Sequence, residues 1–270
     1  MKIKKAVLPV AGMGTRFMPA TKVVPKELLP IVDKPVIQYL VEEAINSGIE
    51  EIIFVISPDK ELIRHHFSHH PELEETLKKR SKHDILEKIS PIHGMAKFTY
   101  VYQNDPLGDG HAILQAEEAV GNEPFLVLFG DDIVKHEIPA ARQLIDRFTG
   151  EAIIAVEKVP RESISSYGVV KPGIGSNSEQ PRLFSVDGMV EKPHPDEAPS
   201  DFGVIGKYVC PASIFEAIRQ GATGGDGELR LIDGFIKLSE NEGIWAYHIE
   251  GERFDTGKAE GLIAANNAFL

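Results

Sequence analysis

Ala6-Val7-Leu8-Pro9-Val10 followed by Ala11-Gly12-Met13-Gly14-Thr15-Arg16 joins a short apolar strand directly to a glycine-rich loop. Glycines at such a point let the backbone approach an anion closely and aim successive N–H groups at it. Spacing excludes two familiar phosphate loops. A dinucleotide turn needs G-x-G-x-x-G opening into a helix, but position 17 is Phe17 and the next helical pattern begins only at Val36. A Walker A loop needs Lys after its last glycine, but Gly14 is followed by Thr15. A bare G-x-G is otherwise a tight turn. Here the cations that follow it, Arg16, Lys22 and Lys26, turn the loop into a polyphosphate cradle.

Outward from this loop, strand-like runs alternate with helical ones. Gly12 to Pro35 carries few helical signals. Val36-Ser47 then has apolar residues at Val36, Ile37, Leu40, Val41, Ala44 and Ile45, with Gly48 placed to end a helix and Ile52-Ile56 as the next strand. One such βαβ unit predicts a parallel sheet covered on both faces. Phe98-Gln103 and Phe125-Phe129 read as further strands with the helix Ala112-Ala119 between them, and the charged Pro71-Lys88 as a helical hairpin inserted at the surface. After about Ala152 the pattern changes to strands and turns: Ile153-Val159, Gly168-Val170, Leu183-Val190 and Gly203-Val209. These are expected to be antiparallel or mixed strands that complete the sheet and wall a second subsite. Lys258-Phe269 reads as a terminal helix, and Gly173-Gln180 as a flexible loop.

The composition narrows the function. With 42% hydrophobic and 26% charged residues the chain of 270 residues is an ordinary globular protein. Its 29 Lys+Arg against 41 Asp+Glu give a net charge of −12, which argues against a nucleic-acid partner. A chain this acidic that handles phosphates must gather its cations in one place or recruit a divalent metal. Cys210 is the one cysteine, so an intramolecular disulfide is excluded; it reads as a small buried hydrophobe before Pro211. The basic start Met1-Lys2-Ile3-Lys4-Lys5 is followed by an apolar stretch that ends at Gly12, too short for a signal peptide and without a small-residue cleavage site. No apolar run approaches the ~18 residues of a membrane helix. The expectation is a cytoplasmic protein without a membrane partner.

Carboxylates mark the crevice. Phe125-Phe129 ends in Gly130-Asp131-Asp132, and side chains at the carboxyl end of a central strand point to where α/β sheets bind ligands. Asp255, in Arg253-Phe254-Asp255-Thr256-Gly257, is a second carboxylate at a strand end. Two carboxylates suit Mg²⁺, which completes its octahedron with phosphate oxygens and water. The four histidines His65, His66, His69 and His70 include i,i+4 pairs, but without Cys or nearby carboxylates they read as a solvated surface cluster rather than a zinc site.

The stretch Gly12-Met13-Gly14-Thr15-Arg16-Phe17-Met18-Pro19-Ala20-Thr21-Lys22, continued by Val23-Val24-Pro25-Lys26-Glu27-Leu28-Leu29-Pro30-Ile31-Val32-Asp33-Lys34-Pro35, resembles the signature of the sugar-1-phosphate nucleotidylyltransferases. Pro25-Lys26-Glu27 and Asp33-Lys34-Pro35-Val36-Ile37-Gln38-Tyr39 are similar to the bacterial-type UTP–glucose-1-phosphate uridylyltransferases within that family, and the likeness recurs along nearly the whole chain. The resemblance implies an α/β fold of the nucleotide-diphospho-sugar transferase type: a Rossmann-like, mixed, mostly parallel sheet flanked by helices. It implies one domain over residues 1–270, with a nucleotide-binding half at about 1–150 and a sugar-binding half at about 151–270.

By the same resemblance UTP lies against Ala11, Gly12, Gly14, Thr15, Arg16 and Lys26, with Gln103 reading the base, Gly108 contacting it through the backbone, and Asp131 on the phosphates. A primary amide such as Gln103 offers the donor and acceptor that uracil O4 and N3–H require. Asp131 and Asp255 match the family's Mg²⁺ ligands. Glu191 matches the acceptor for sugar hydroxyls and Lys192 the cation on the sugar phosphate, in Glu191-Lys192-Pro193. Gly168, in Tyr167-Gly168-Val169-Val170, matches the glycine that meets the sugar ring, and Gly227-Asp233 resembles a further stretch on the sugar side. Arg16, Lys26 and Lys192 are the expected catalytic cations, and a homo-oligomer, dimer or tetramer, is implied. Asp109 departs from the Leu or Gln expected there, and a carboxylate facing the nucleotide would be unfavourable. Three other readings share these motifs: a thymidylyltransferase, a non-catalytic regulatory paralogue, and a sugar-nucleotide sensor.

Overall fold

In the computed structural model, which describes residues 2–173, 182–221 and 227–270, the opening apolar run forms β1 (Lys5–Pro9). Most of the expected loop Gly173-Gln180 lies outside the described residues. After β1 the chain makes three short 3-10 turns, Thr15–Phe17, Ala20–Lys22 and Lys26–Leu28, then a ribbon of β2 (Pro30–Ile31) and β3 (Lys34–Pro35). Helix α1 (Val36–Asn46) follows, with the expected apolar stripe buried. Gly48, at φ 95°, ends it as the sequence predicts. The Gly48 N–H donates to Ile45 O and the Ile49 N–H to Ala44 O, the paired bonds of a left-handed glycine stop.

The chain then forms β4 (Glu51–Ile56), a 3-10 turn at Pro58–Lys60, and α2 (Glu61–His66). The expected surface hairpin is α3 (Pro71–Lys79) and α4 (His83–Ile89), neither of which buries a residue. After β5 (Lys97–Tyr102), the expected helix at 112–119 is two, α5 (Asp109–Gln115) and α6 (Glu117–Val120), broken at Ala116. β6 (Phe125–Leu128), β7 (Asp132–Lys135), α7 (Ala140–Ile145) and β8 (Ala152–Lys158) lead into the second half. There β9 (Gly168–Pro172), β10 (Leu183–Glu191) and β11 (Phe202–Cys210) precede α8 (Ile214–Gln220) and α9 (Leu231–Leu238). β12 (Ile244–His248), β13 (Glu252–Asp255) and α10 (Ala259–Phe269) follow.

Among the described residues nine strands form one sheet in the order β5-β4-β1-β6-β11-β8-β12-β10-β9. β11 and β10 run against the other seven, so the sheet is mixed and mostly parallel, as expected. Alternate residues of each central strand enter different cores. Leu8, Phe54 and Leu128 pack with α1 and α7 on one face, and Val7, Val55 and Val127 with α5, α8 and α9 on the other. This double coverage explains the unbroken apolar runs of β1, β4 and β6. Cys210 is fully buried, as read. No helix among the described residues is long and apolar enough to cross a membrane.

The order also locates the crevice. From β1 the chain passes to β4 on one side, while β6 returns on the other side of β1. Ligands of open α/β sheets bind beyond the strand ends at such a reversal. The glycine-rich loop leaves β1 there, and Gly130-Asp131 leaves β6 beside it.

Candidate active site

Two contiguous cavities of about 430 and about 460 Å³ occupy this crevice, sharing Asp109, Phe129, Asp131, Glu191, Lys192 and Arg230 as walls. The first reaches Ala11, Gly12, Lys26 and Gln103, and the second Arg16, Gly168 and Asp255. Gly14 and Thr15 line neither. Gly14, at φ 64°, shapes the loop, and its carbonyl accepts from Thr21 Oγ1 at 2.7 Å. Lys22 is exposed and lines neither cavity.

At the centre Lys26 Nζ lies 2.5 Å from Asp131 Oδ2. Burial works against the charge of Lys26, but Asp131 and Glu27 outweigh it and raise its pKa. Burial likewise opposes ionisation of Asp131, yet Lys26, then Arg253 and Arg16, hold its carboxyl below the usual range. Both groups are therefore charged at neutral pH, a cation and an anion aimed at one point in the cleft.

The structure separates the two adjacent carboxylates. Asp132 also lies in the wall of the second cavity, but both its oxygens are taken by the protein: Oδ1 accepts from Arg253 Nε at 2.5 Å and Oδ2 from the Gly206 N–H at 2.7 Å. Arg253 Nη1 also meets Glu157 Oε1 at 2.6 Å. Asp132 thus ties β7, β11 and β13 together. Asp131 stays on the cleft wall, where its carbonyl accepts from the Thr256 N–H at 2.8 Å and from Thr256 Oγ1 at 2.9 Å.

Those two bonds bring Asp255 beside Asp131. A methyl group on Gly257 would lie 2.6 Å from Asp131 Oδ2 and 3.1 Å from Asp255 Oδ1, so both carboxylates converge on one small space. Asp255 Oδ2 pairs with Lys258 Nζ at 3.0 Å. Among the described residues no group of three or more His, Cys, Asp or Glu could hold a metal. Two converging carboxylates fit Mg²⁺, which takes few protein ligands and completes its shell with phosphate oxygens and water.

In the first cavity Gln103 is buried and its Nε2 donates to Gly108 O at 3.0 Å and lies 3.0 Å from His111 Nδ1. Its Oε1 has no hydrogen-bond partner among the described residues. The amide expected to offer both a donor and an acceptor therefore already commits its donor to the protein. Gly108, at φ 107°, permits an approach in which any Cβ would collide with the Leu229 carbonyl. Asp109 Oδ1 accepts from the Leu231 N–H at 2.8 Å and so caps the start of α9. The carboxylate that seemed misplaced for a base pocket anchors a helix, with its edge open to the cleft. Burial pushes its pKa up, and the bond from Leu231 offsets part of that rise.

On the wall that the two cavities share, Glu191 Oε1 lies 3.2 Å from Lys192 Nζ, and a methyl on Gly168 would lie 3.1 Å from Glu191 Oε2. Lys192 adopts φ 46°, and its N–H donates to Tyr167 O at 3.0 Å. A left-handed backbone costs a side-chain-bearing residue about 1–2 kcal/mol, and such strain gathers at functional sites.

Sequence reasoning missed Arg253 and Lys258 as walls of the crevice, and gave Arg230 no role of its own within the stretch Gly227-Asp233. Strand alternation offered one signal, because Arg253 and Asp255 lie two apart and so share a face. The histidines do not come together as a site: His66 is half-buried and bonds Gln38 Oε1 at 3.0 Å, while His65, His69 and His70 are exposed.

The family described as Nucleotidyl transferase matches residues 5–270. The chain belongs to this family. A UTP–glucose-1-phosphate uridylyltransferase of Bacillus subtilis (strain 168) is 43% identical to this nucleotidyl transferase over 270 residues, 99% of this chain and 91% of the relative. Among solved structures, UTP-bound UGPase from Acinetobacter baumannii is 38% identical with a TM-score of 0.91, covering 99% of this nucleotidyl transferase and 93% of that chain. A UDP-glucose pyrophosphorylase complexed with UDP-glucose is 38% identical with a TM-score of 0.87, covering 99% and 98%.

Proposed function

We propose that the protein transfers a uridylyl group from UTP to glucose 1-phosphate, forming UDP-glucose and releasing pyrophosphate. The observation that carries the reading is the convergence of Lys26, Asp131 and Asp255 midway along the crevice. An amide acceptor lines the first cavity, and a carboxylate–lysine pair stands on the wall that the two cavities share. The full-length likeness to uridylyltransferases selects the substrates. Residues to about 150 hold the nucleotide and the remainder the sugar, within one domain; β6 of the first half pairing with β11 of the second supports this.

A phosphate monoester has a second pKa near ~6, so the attacking glucose 1-phosphate oxygen is already charged at neutral pH. No side chain need act as a base. The barrier is anion meeting anion, and the protein lowers it by positioning and neutralisation. Gln103 Oε1 accepts from uracil N3–H. Glu191 accepts from sugar hydroxyls, and Lys192 draws the sugar phosphate toward the α-phosphorus. Arg16 and Lys26 stabilise the departing pyrophosphate, with the N–H groups of the loop from Ala11 to Thr15 behind them. Asp131 and Asp255 would hold Mg²⁺, which when bound supplies charge neutralisation at the reacting phosphates.

Run in reverse, the enzyme must convert UDP-glucose and pyrophosphate to UTP and glucose 1-phosphate. Glucose 1-phosphate accumulating with pyrophosphate consumed is the expected result. UDP-glucose binding without turnover would favour the sensor reading.

A further inference from the structure

Behind the cleft wall Lys60, at the end of the 3-10 turn after β4, points inward rather than to solvent. Its Nζ lies 2.8 Å from Val10 O, and 3.0 and 2.8 Å from the two carboxylate oxygens of Glu27. Lys60 is 4% exposed and Glu27 1%. Both oxygens of the carboxylate are thus taken by one ammonium, which also grips the backbone where the glycine-rich loop begins. A further segment leans on the pair: a methyl on Gly130 would lie 3.0 Å from Glu27 Cγ and 2.8 Å from Val10 Cγ1. Glu27 is the chain neighbour of Lys26, and Gly130 of Asp131.

We propose that the Glu27–Lys60 pair is a positioning device, which fixes the backbone from which Lys26 and Asp131 reach one another and from which the glycine-rich loop sets out. The proposal rests on the nucleotidyl-transfer reading of the cleft. Glu27 lies in the wall of the first cavity, but both its oxygens are taken by Lys60, and Lys60 lines neither cavity, so the pair acts through Lys26 and the loop.

The chemistry of the pair favours placement over stability. Taking two charges out of water is costly before their attraction is counted, and apolar residues of similar volume often hold such a space as well or better. Burial accordingly pushes Glu27 up and Lys60 down, against the pull of each on the other. Apolar side chains could fill the volume. They could not hold the Val10 carbonyl or stop the turn Lys26–Leu28 from rotating about its ends. A displacement of about 1 Å at a reacting group can cost ~10²-fold in rate, so slack at this turn is felt at Lys26.

The test sets placement against stability with two variants assayed beside the wild type. The double variant Glu27→Leu/Lys60→Met removes both charges and keeps the volume. It leaves the Val10 carbonyl without its Lys60 partner, so it should melt slightly below the wild type yet above Glu27→Gln, and lose about 10–100-fold in kcat. Its KM for glucose 1-phosphate should stay within about threefold, because the sugar-side pair Glu191–Lys192 is untouched. Glu27→Gln, which still accepts from Lys60, should show the crossed pattern: a lower melting temperature with kcat within about fivefold. A crystal structure of the double variant should show Lys26 Nζ displaced from Asp131. The proposal is overturned by wild-type kcat in the double variant, by kcat falling in step with melting temperature across both variants, or by an unmoved Lys26. Should the double variant not fold, Lys60→Met assayed well below its melting temperature must show the same kcat loss, and wild-type kcat there overturns the proposal. A wild-type protein that releases no pyrophosphate would sink the transferase reading alone; the position of Lys26 in the double variant would still decide the role of the pair.

Discussion

Lys26 Nζ and Asp131 Oδ2, 2.5 Å apart, join the turn that follows the first strand to the end of β6 across the reversal point of the sheet. The contact is a cation–anion pair in which each group holds the other in place; under the proposed reaction a triphosphate and a divalent ion would compete for the two partners. On binding, Lys26 is expected to exchange Asp131 for phosphate oxygens, leaving the carboxylate to a divalent ion.

Asp131→Asn and Asp255→Asn should each lower kcat by about 10²–10³-fold while UTP affinity changes little, because both carboxylates are assigned to charge developing in the transition state. Steady-state kinetics at saturating Mg²⁺ beside calorimetric UTP binding checks this. Near wild-type turnover in either variant removes that carboxylate from the metal. Asp132→Asn should act differently, because Asp132 is buried against Arg253 and the Gly206 N–H: its first effect is a lower melting temperature.

Lys192→Ala should collapse the handling of glucose 1-phosphate and change UTP binding by under ~1 kcal/mol. Lys192 pairs with Glu191 on the wall that the two cavities share, and the Lys26–Asp131 contact does not involve it. Calorimetry with UTP alone, then KM for the sugar phosphate, separates the two substrates. Weakened UTP binding with sugar handling intact would move Lys192 to the triphosphate.

Base choice should follow from the acceptor Gln103 Oε1. Uracil N3–H donates to it, whereas cytosine presents an acceptor there, and a buried mismatch of this kind supports discrimination of ~10⁴ or more. Thymine offers the same edge plus one methyl, a difference of only ~1–3 kcal/mol. Gln103→Ala should therefore compress the UTP/CTP ratio of kcat/KM far more than the UTP/dTTP ratio. Efficient CTP turnover by the wild type would exclude this role.

Asp109→Asn should leave UTP turnover within a few-fold, because the side chain caps α9 through one oxygen that Asn retains. Burial raises the folded-state pKa of Asp109 above 3.8, so the native state binds more protons than the unfolded state between the two values. The charged form is then a stability cost that is present above the folded pKa and absent below 3.8. Removing the charge should give a melting temperature at or above wild type at pH 7, with the difference closing toward pH 4. A loss of UTP affinity instead would put Asp109 on the substrate.

Much of the sheet was legible because β1, β4, β5 and β6 are apolar runs that end in turn residues, and α1 carries a clear stripe stopped by Gly48. The short helices were not. α7, α8 and α9 span six, seven and eight residues, about two turns, where periodicity barely differs from a strand's. β7 opens on Asp132, a poor strand former, and holds its place through Arg253 rather than local propensity. Which of Asp131 and Asp132 is engaged by Lys26 was illegible for a related reason: the pair sits where a turn enters β7, and only the distant partners Lys26 and Arg253 decide which carboxylate each one takes. The left-handed backbone of Lys192 and the inward turn of Lys60 also left no trace in spacing, since both depend on contacts with residues far away in the chain.

Pyrophosphate release measured across UTP, dTTP, CTP, ATP and GTP against several sugar 1-phosphates, with and without Mg²⁺, tests the central claim most directly. The expected result is fastest turnover with UTP and glucose 1-phosphate, dependent on Mg²⁺, with dTTP slower and CTP and the purine nucleotides slower by large factors. Turnover led by dTTP, or no pyrophosphate released from UTP with any sugar phosphate, would contradict it.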